Sequence, residues 1–221
     1  MKPRGAPSQA DRTGDEDLLS AMKAYIAKVY SKPGAAYLGL VHRLDRPVGG
    51  LMAFARTSKA AGRLSEAFAS GAVIKRYLAV VEGAHAPPME LEDSLSKDPD
   101  SGTVAVVRSG SGGKLARLSS RPLASVGGTT LMEVAPETGR AHQIRAQHAN
   151  AGFPLWGDRR YGGEAREAGV ALWACGLGFR HPVRDEWAEF FAPPPDDSIW
   201  GAYREAIAGY RPDLGRGIWV G

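Results

Sequence analysis

Three short segments carry side chains whose types and spacing suit chemistry. Val41-His42-Arg43-Leu44-Asp45-Arg46-Pro47, followed by Gly49-Gly50, sets one carboxylate among two arginines and a histidine, next to a tight turn. A carboxylate beside cations is kept ionised, which suits a nucleophile or an electrostatic stabiliser. A surface ion pair capping a strand accounts for the same residues equally well. Lys75-Arg76-Tyr77-Leu78-Ala79-Val80-Val81-Glu82-Gly83 places a tyrosine beside cations on a strand-like run, positioned to stack on a base or handle a proton, although strand tyrosines are more often core. Glu137-Thr138-Gly139-Arg140-Ala141-His142-Gln143-Ile144-Arg145 reads as a Thr-Gly turn opening a helix whose first two turns carry two arginines, a histidine and a glutamine. Helix N-termini attract anions, and a merely solvated start would sooner carry acids than arginines.

Other familiar chemistry is absent from the sequence. There is no G-x-S-x-G elbow, no H-E-x-x-H and no Walker A loop. Ser109-Gly110-Ser111-Gly112-Gly113-Lys114 is Gly-rich but lacks P-loop spacing and has Leu115 where a hydroxyl is required, so a flexible loop is expected. His142 and His148 lie six apart, on different faces of a helix, which disfavours a metal pair. Cys175, the only cysteine, excludes an internal disulfide and a cysteine-based zinc cluster and reads as a buried thiol in a strand.

Around these segments the chain has 221 residues, 24% of them charged and 43% hydrophobic, a balance typical of a globular protein. No apolar run is long enough to span a membrane, the amino terminus does not read as a secretory signal, and a cytoplasmic location is the default. The net charge of +4 is mild. Its distribution is informative: between Gly139 and Arg184 seven arginines face three acids, a local surplus suited to a phosphate backbone or to a solvated face.

The elements that must position these residues follow from periodicity. Apolar spacings of three and four predict helices over 15–30, with Thr13 and Glu16 as a capping box and Pro33-Gly34 as a stop, and over 58–70. Strands are expected over 50–57, 73–81, 103–108, 115–126 and 129–134, the last two joined by a Gly127-Gly128 hairpin turn. The alternation in 73–81 puts Lys75, Tyr77 and Ala79 on one face. A polar, Pro-rich loop around one short strand is expected over 83–99, a helix over 139–150, an antiparallel pair over 171–179 and 186–191, and a last helix over 198–207. Strands and helices do not alternate regularly, so the expected class is α+β, a single domain over 1–221 with a mixed, largely antiparallel sheet flanked by helices.

Taken in order, His42-Arg43-Leu44-Asp45-Arg46, Lys75 to Gly83, Thr138 to Arg145, Gly152-Phe153-Pro154-Leu155-Trp156-Gly157-Asp158 with Tyr161-Gly162, and His181-Pro182 resemble the RluA-type family of RNA pseudouridine synthases. Lys2-Pro3-Arg4-Gly5 is similar to that family's early K-P-x-G turn. The resemblance implies isomerisation of uridine to pseudouridine in RNA, ribosomal RNA being narrowly preferred over transfer RNA, by a monomer, without cofactor or metal, in a cleft across the sheet. It implies Asp45 as the catalytic aspartate, Tyr77 as the residue that contacts the base and serves in proton abstraction, and Arg145 as the partner of the aspartate. Arg43 is similar to the arginine that holds RNA where the uridine has flipped out. His42, Arg46, Arg140, His142, Gln143, Arg159 and Arg160 are expected on the RNA.

This chain departs from the family pattern in three places. Pro47-Val48-Gly49-Gly50 stands where the family has a hydroxyl pair before glycine, which predicts a looser turn behind Asp45. The family has a strand before K-P-x-G and this sequence opens on Met1-Lys2-Pro3, so the expectation is either a misassigned start or a sheet lacking an edge strand; an S4-type domain is not expected ahead of the catalytic part. The first two departures motivate an alternative, a catalytically impaired RNA-binding relative. An unrelated glycosidase-like hydrolase lacks an acid partner for Asp45, since Glu133 and Glu137 read as strand-end residues.

Overall fold

The computed structural model of the chain describes residues 1–31, 34, 36–184 and 186–215. Its helices are α1 (Leu18–Val29), α2 (Ser58–Ala69), α3 (Gln143–Asn150), α4 (Ser198–Gly201) and α5 (Arg204–Gly209). Its strands are β1 (Gly39–Leu40), β2 (Gly49–Gly50), β3 (Phe54–Ala55), β4 (Ile74–Glu82), β5 (Met89–Lys97), β6 (Val104–Val107), β7 (Lys114–Val126), β8 (Thr129–Pro136), β9 (Leu172–Arg180) and β10 (Trp187–Phe191). Among the described residues one eight-stranded sheet runs β10-β9-β4-β8-β7-β5-β6, with β2 added parallel to β9. All other pairs in it are antiparallel, and β1 and β3 form a separate two-stranded sheet. This is the expected α+β class. No helix among the described residues is long and apolar enough to cross a membrane.

Period-two alternation assigns the sheet its two sides. Ala79, Val81, Met132 and Val134 pack with Leu44, Val48, Ile144 and Leu155 on what becomes the cleft side, and Tyr77 packs against them. Leu78, Val80 and Leu131 point to the other side, where Trp200, Tyr203, Ile207 and Tyr210 cover them. Each fully buried side chain of this size contributes about 1.5–3 kcal/mol. The β7–β8 turn is built from Gly127 (φ 57°) and Gly128 (φ 80°), two left-handed residues whose twist matches the paired strands.

Several expected boundaries move, each for a local reason. Helix α1 is capped by Asp17, which accepts the Ser20 amide at 3.0 Å, while the Thr13 hydroxyl turns to Asp11 and Asp15 instead. The helix ends before the expected Pro33-Gly34 stop, and Pro33 lies outside the described residues. The strand expected over 50–57 is broken: Gly49–Gly50 joins β9, and Phe54–Ala55 pairs with Gly39–Leu40. Where a loop around one short strand was expected over 83–99, nine residues form β5 between β6 and β7, its exposed acids alternating outward. The helix expected from 139 starts at Gln143, because His142 adopts a left-handed backbone (φ 50°) that no helix continues through. The last helix divides in two at Ala202–Tyr203. Glu133 is no strand-end residue: it sits within β8, fully buried, between Arg76 and Arg121.

Candidate active site and nucleic-acid interface

A cleft of about 790 Å³ opens across the sheet where the loop carrying Asp45, the strand carrying Tyr77 and the start of α3 meet. Its lining includes Arg43, Arg46, Lys75, Lys97, Arg140 and Arg145 against the carboxylates of Asp11 and Asp45, so it is a basic cleft with an acid at its floor. Such a field concentrates polyanions.

The floor is built from a chain of charges. Arg145 is buried on α3 and donates twice to Asp158, from Nε to Oδ2 at 2.6 Å and from Nη2 to Oδ1 at 2.8 Å. Its remaining terminal nitrogen, Nη1, donates to Asp45 Oδ2 at 3.2 Å. The bidentate fork fixes the guanidinium plane, and that plane aims the third donor. Burial pulls the Arg145 pKa down, but its bonds with Asp158 and the charges of both carboxylates hold it above the ordinary arginine range. Asp158 is 1% exposed and Asp45 is 25% exposed, so the cleft sees only the second carboxylate.

The Asp45 loop is fastened from the other side by the first residues of the chain. Ser8 Oγ donates to the Leu44 carbonyl at 2.7 Å and accepts the Leu44 amide at 3.2 Å, as a strand partner would. The Arg46 carbonyl accepts from Lys2 Nζ at 3.0 Å and from the Gly5 amide at 2.9 Å. Lys2 and Gly50 exchange backbone hydrogen bonds, and the Val48 amide closes the turn onto the Asp45 carbonyl. Gly50 has φ +123°, and a Cβ there would lie 2.3 Å from the Ala174 carbonyl oxygen. Val48 itself is buried in the core. The expected loosening behind Asp45 is therefore not found; an apolar anchor and backbone bonds do the work that hydroxyls would have done.

Tyr77 lies in the cleft beside these groups, half-buried in the apolar floor. Burial, reinforced by the Asp45 charge, raises its pKa, so the phenol rests protonated. Lys75, two residues earlier on the same face, donates to the Thr138 carbonyl at 3.1 Å, and burial with Arg140 nearby lowers its pKa to about 8. Arg43 is exposed on the rim. Arg46 also lines the cleft, but its guanidinium is engaged by Asp15 and Thr13.

The remaining sequence-selected residues divide into cleft rim and internal framework. Arg140 stays on the rim, its Nε donating to the Leu115 carbonyl at 2.8 Å. His42 stacks on Phe68 at 4.3 Å and accepts the Ala53 amide on Nε2; burial lowers its pKa to about 4, so the ring is neutral. Gln143 is buried, with Oε1 accepting from Thr138 and the Arg140 amide and Nε2 donating to the Arg117 carbonyl. His142 lines the cleft, Nε2 at 3.8 Å from Asp45 Oδ2 and Nδ1 at 2.7 Å from the Tyr161 hydroxyl. Arg159 and Arg160 are exposed on the 3-10 turn that presents Tyr161 and are not part of the cleft lining. Sequence reasoning assigned no role to Ser8, Asp158 or Tyr161. The one available signal was that Asp158 and Tyr161 are among the motif residues.

The chain is similar to known proteins over most of its length. A family model described as RNA pseudouridylate synthase matches residues 1–150. The uncharacterized RNA pseudouridine synthase YlyB of Bacillus subtilis is 34% identical over 209 residues, covering 89% of this chain and 65% of that one. The ribosomal large subunit pseudouridine synthase D of Vibrio cholerae is 34% identical over 206 residues, covering 86% and 61%. The first curated relatives are longer, and this chain spans 42% to 65% of their lengths. The solved structure of human RNA pseudouridylate synthase domain containing 4 superimposes with a TM-score of 0.72 at 21% identity, covering 88% of this chain and 84% of that one, which establishes the shared fold.

Proposed function

The chain belongs to the RNA pseudouridylate synthase family, and from that premise we propose that it isomerises uridine to pseudouridine within RNA, with Asp45 as the catalytic carboxylate. The observation that carries this reading is the Asp158–Arg145–Asp45 chain on the floor of a basic cleft, which spends a buried ion pair on holding one exposed carboxylate in place. Isomerisation breaks the N1–C1′ bond, turns the base, joins C5 to C1′, releases the C5 proton and returns a proton to N1. A uridine must leave the helix stack to reach such a floor, at a cost of a few kcal/mol. Arg43 and Arg140 on the rim, with Lys97, are placed to offset that cost through phosphate contacts.

In this reading Asp45 acts at the sugar or the base ring, Arg145 holds it, and Tyr77 packs against the uracil and takes part in removal of the C5 proton. Because the phenol rests protonated, Tyr77 accepts that proton only as it releases its own. His42 and Gln143 serve the reaction as framework beneath the cleft, and Arg159 and Arg160 reach RNA outside it. The relatives named for the ribosomal large subunit favour ribosomal over transfer RNA as substrate. We propose that the protein acts as a monomer.

Tritium release from [5-³H]uridine-labelled RNA tests the proposal. Wild-type protein should release tritium and Asp45→Asn should not, with RNA affinity unchanged. Binding by both without release by either would leave an RNA-binding relative in place of an enzyme.

A further inference from the structure

Asp45 has two carboxylate oxygens, and the protein treats them differently. Oδ2 accepts from Arg145 Nη1 at 3.2 Å and faces His142 Nε2 at 3.8 Å. Both of these contacts are made by Oδ2, and neither by Oδ1.

The second contact depends on which nitrogen of His142 carries the proton, and the surroundings decide that. The Val104 amide donates to the Tyr161 hydroxyl oxygen at 2.9 Å. That leaves the phenol its own proton to give, and His142 Nδ1 is the acceptor 2.7 Å away. A ring that accepts on Nδ1 carries its proton on Nε2, since the bond made by one nitrogen sets the state of the other. The opposite tautomer would aim a bare Nε2 lone pair at the Asp45 carboxylate. Burial keeps the ring neutral, lowering its pKa; Asp45 opposes that shift, and Arg145, Arg160 and Lys97 add to it. The backbone bears the cost of the orientation: His142 is left-handed at φ 50°, a conformation unfavourable for a non-glycine residue. The Tyr161 ring also lies against the Arg145 guanidinium, 5.0 Å from its centre.

We propose that Tyr161 and His142 form a positioning pair which locks the Nε2–H tautomer, clamps Asp45 Oδ2 together with Arg145, and so presents Oδ1 as the oxygen that meets the substrate. His142, expected from sequence to touch RNA, thereby acts through Asp45. The proposal rests on the reading of Asp45 as the catalytic carboxylate.

The test has two arms. Nitrogen-15 NMR of the folded protein at neutral pH, with the His142 resonances identified by their loss in His142→Gln, reads the tautomer directly. A protonated Nε2 and bare Nδ1 are expected; a protonated Nδ1 would overturn the pair whatever the activity. In the tritium assay Tyr161→Phe, which keeps the ring against Arg145 and deletes only the hydroxyl, should lower kcat by roughly tenfold or more, the usual loss for an orienting partner. Its KM should stay within about twofold, as for an interaction made only in the transition state. His142→Gln, whose amide nitrogen falls near the place of Nε2, should retain more activity than His142→Asn, whose amide falls near Nδ1 although asparagine tolerates the left-handed backbone better. Equal or reversed ranking, or an unchanged kcat in Tyr161→Phe, overturns the proposal. Tritium release by Asp45→Asn would instead remove the reading beneath it, an outcome the tautomer measurement does not share.

Discussion

On the cleft side of the sheet one guanidinium serves two carboxylates, Arg145 between Asp158 and Asp45; on the opposite side one carboxylate serves two guanidiniums, Glu133 between Arg76 and Arg121. In each trio one member is the most exposed and reaches water. On the far side that member is Arg121, with a side chain 48% exposed to open solvent. On the near side it is Asp45, open only to a basic cleft. The same device, a buried ion pair with a third charged member at its edge, is structural where that member faces bulk water. On the proposed reading it becomes chemical where that member faces a basic cavity. Burying charge is expensive in both places, and removal of one partner leaves the other uncompensated.

The sharpest way to break this comparison is to cut each trio once. Arg145→Met strands Asp158 in the interior, so urea unfolding should report a loss of about 3–5 kcal/mol and tritium release should disappear. Glu133→Gln should also lower the unfolding midpoint, yet the protein that remains folded should turn over at near the wild-type kcat. A collapse of kcat in folded Glu133→Gln would show that the two clusters are not separable. Tyr77→Phe asks how much of the chemistry lies outside the ion chain. It should cost roughly a hundredfold or more in tritium release, as proton-transfer groups do, with stability and RNA affinity little changed.

Between the two trios in effect stands a buried group that carries no charge. His148 bonds to the Ile144 carbonyl and Ser120 hydroxyl, and burial lowers its pKa to about 4. The fold binds the neutral ring, so its stabilisation is complete above the unfolded pKa near 6.5 and is lost as pH falls through about 4. By the linkage relation this amounts to about 3 kcal/mol. Denaturation at pH 7 and pH 4 should show that loss in wild type and a smaller one in His148→Gln. The smallest effect belongs to the outer arginines. Replacing Arg159 and Arg160 by Ala should weaken RNA binding at low salt and reduce the log–log salt slope by about 1 for each phosphate contact removed. An unchanged slope would take them off the interface.

Much of the scaffold was legible because its signals are local. The apolar stripe of α2 and the Gly127-Gly128 turn each specify their element within a few residues. Strand β5 was legible only in part: Glu90, Glu92 and Asp93 resemble a solvated loop, so one short strand was expected, and pairing with β6 and β7 on both sides extends it to nine residues. The start of α3 was misplaced because Arg140, Ala141 and His142 have helix-compatible types, while a tertiary contact with Tyr161 is what His142 serves. For the site, motif order pointed to Asp45, Tyr77 and Arg145. The bonds that make them a site (Ser8 to Leu44, Arg145 to Asp158, His142 to Tyr161) join residues 13 to 36 positions apart, where spacing carries no signal.

The parallel register of β2 on β9 has a consequence for how the protein comes into being. Gly49 and Gly50 align with Trp173 and Ala174, and Asp45 meets its guanidinium 100 residues along the chain. Contacts of such long sequence separation form late, after loop-closure entropy has been overcome. A nascent or half-folded chain therefore holds Asp45 without Arg145, and on the proposed reading the ability to act on RNA arrives only with the completed sheet. That ordering would make catalytic competence a report of finished folding.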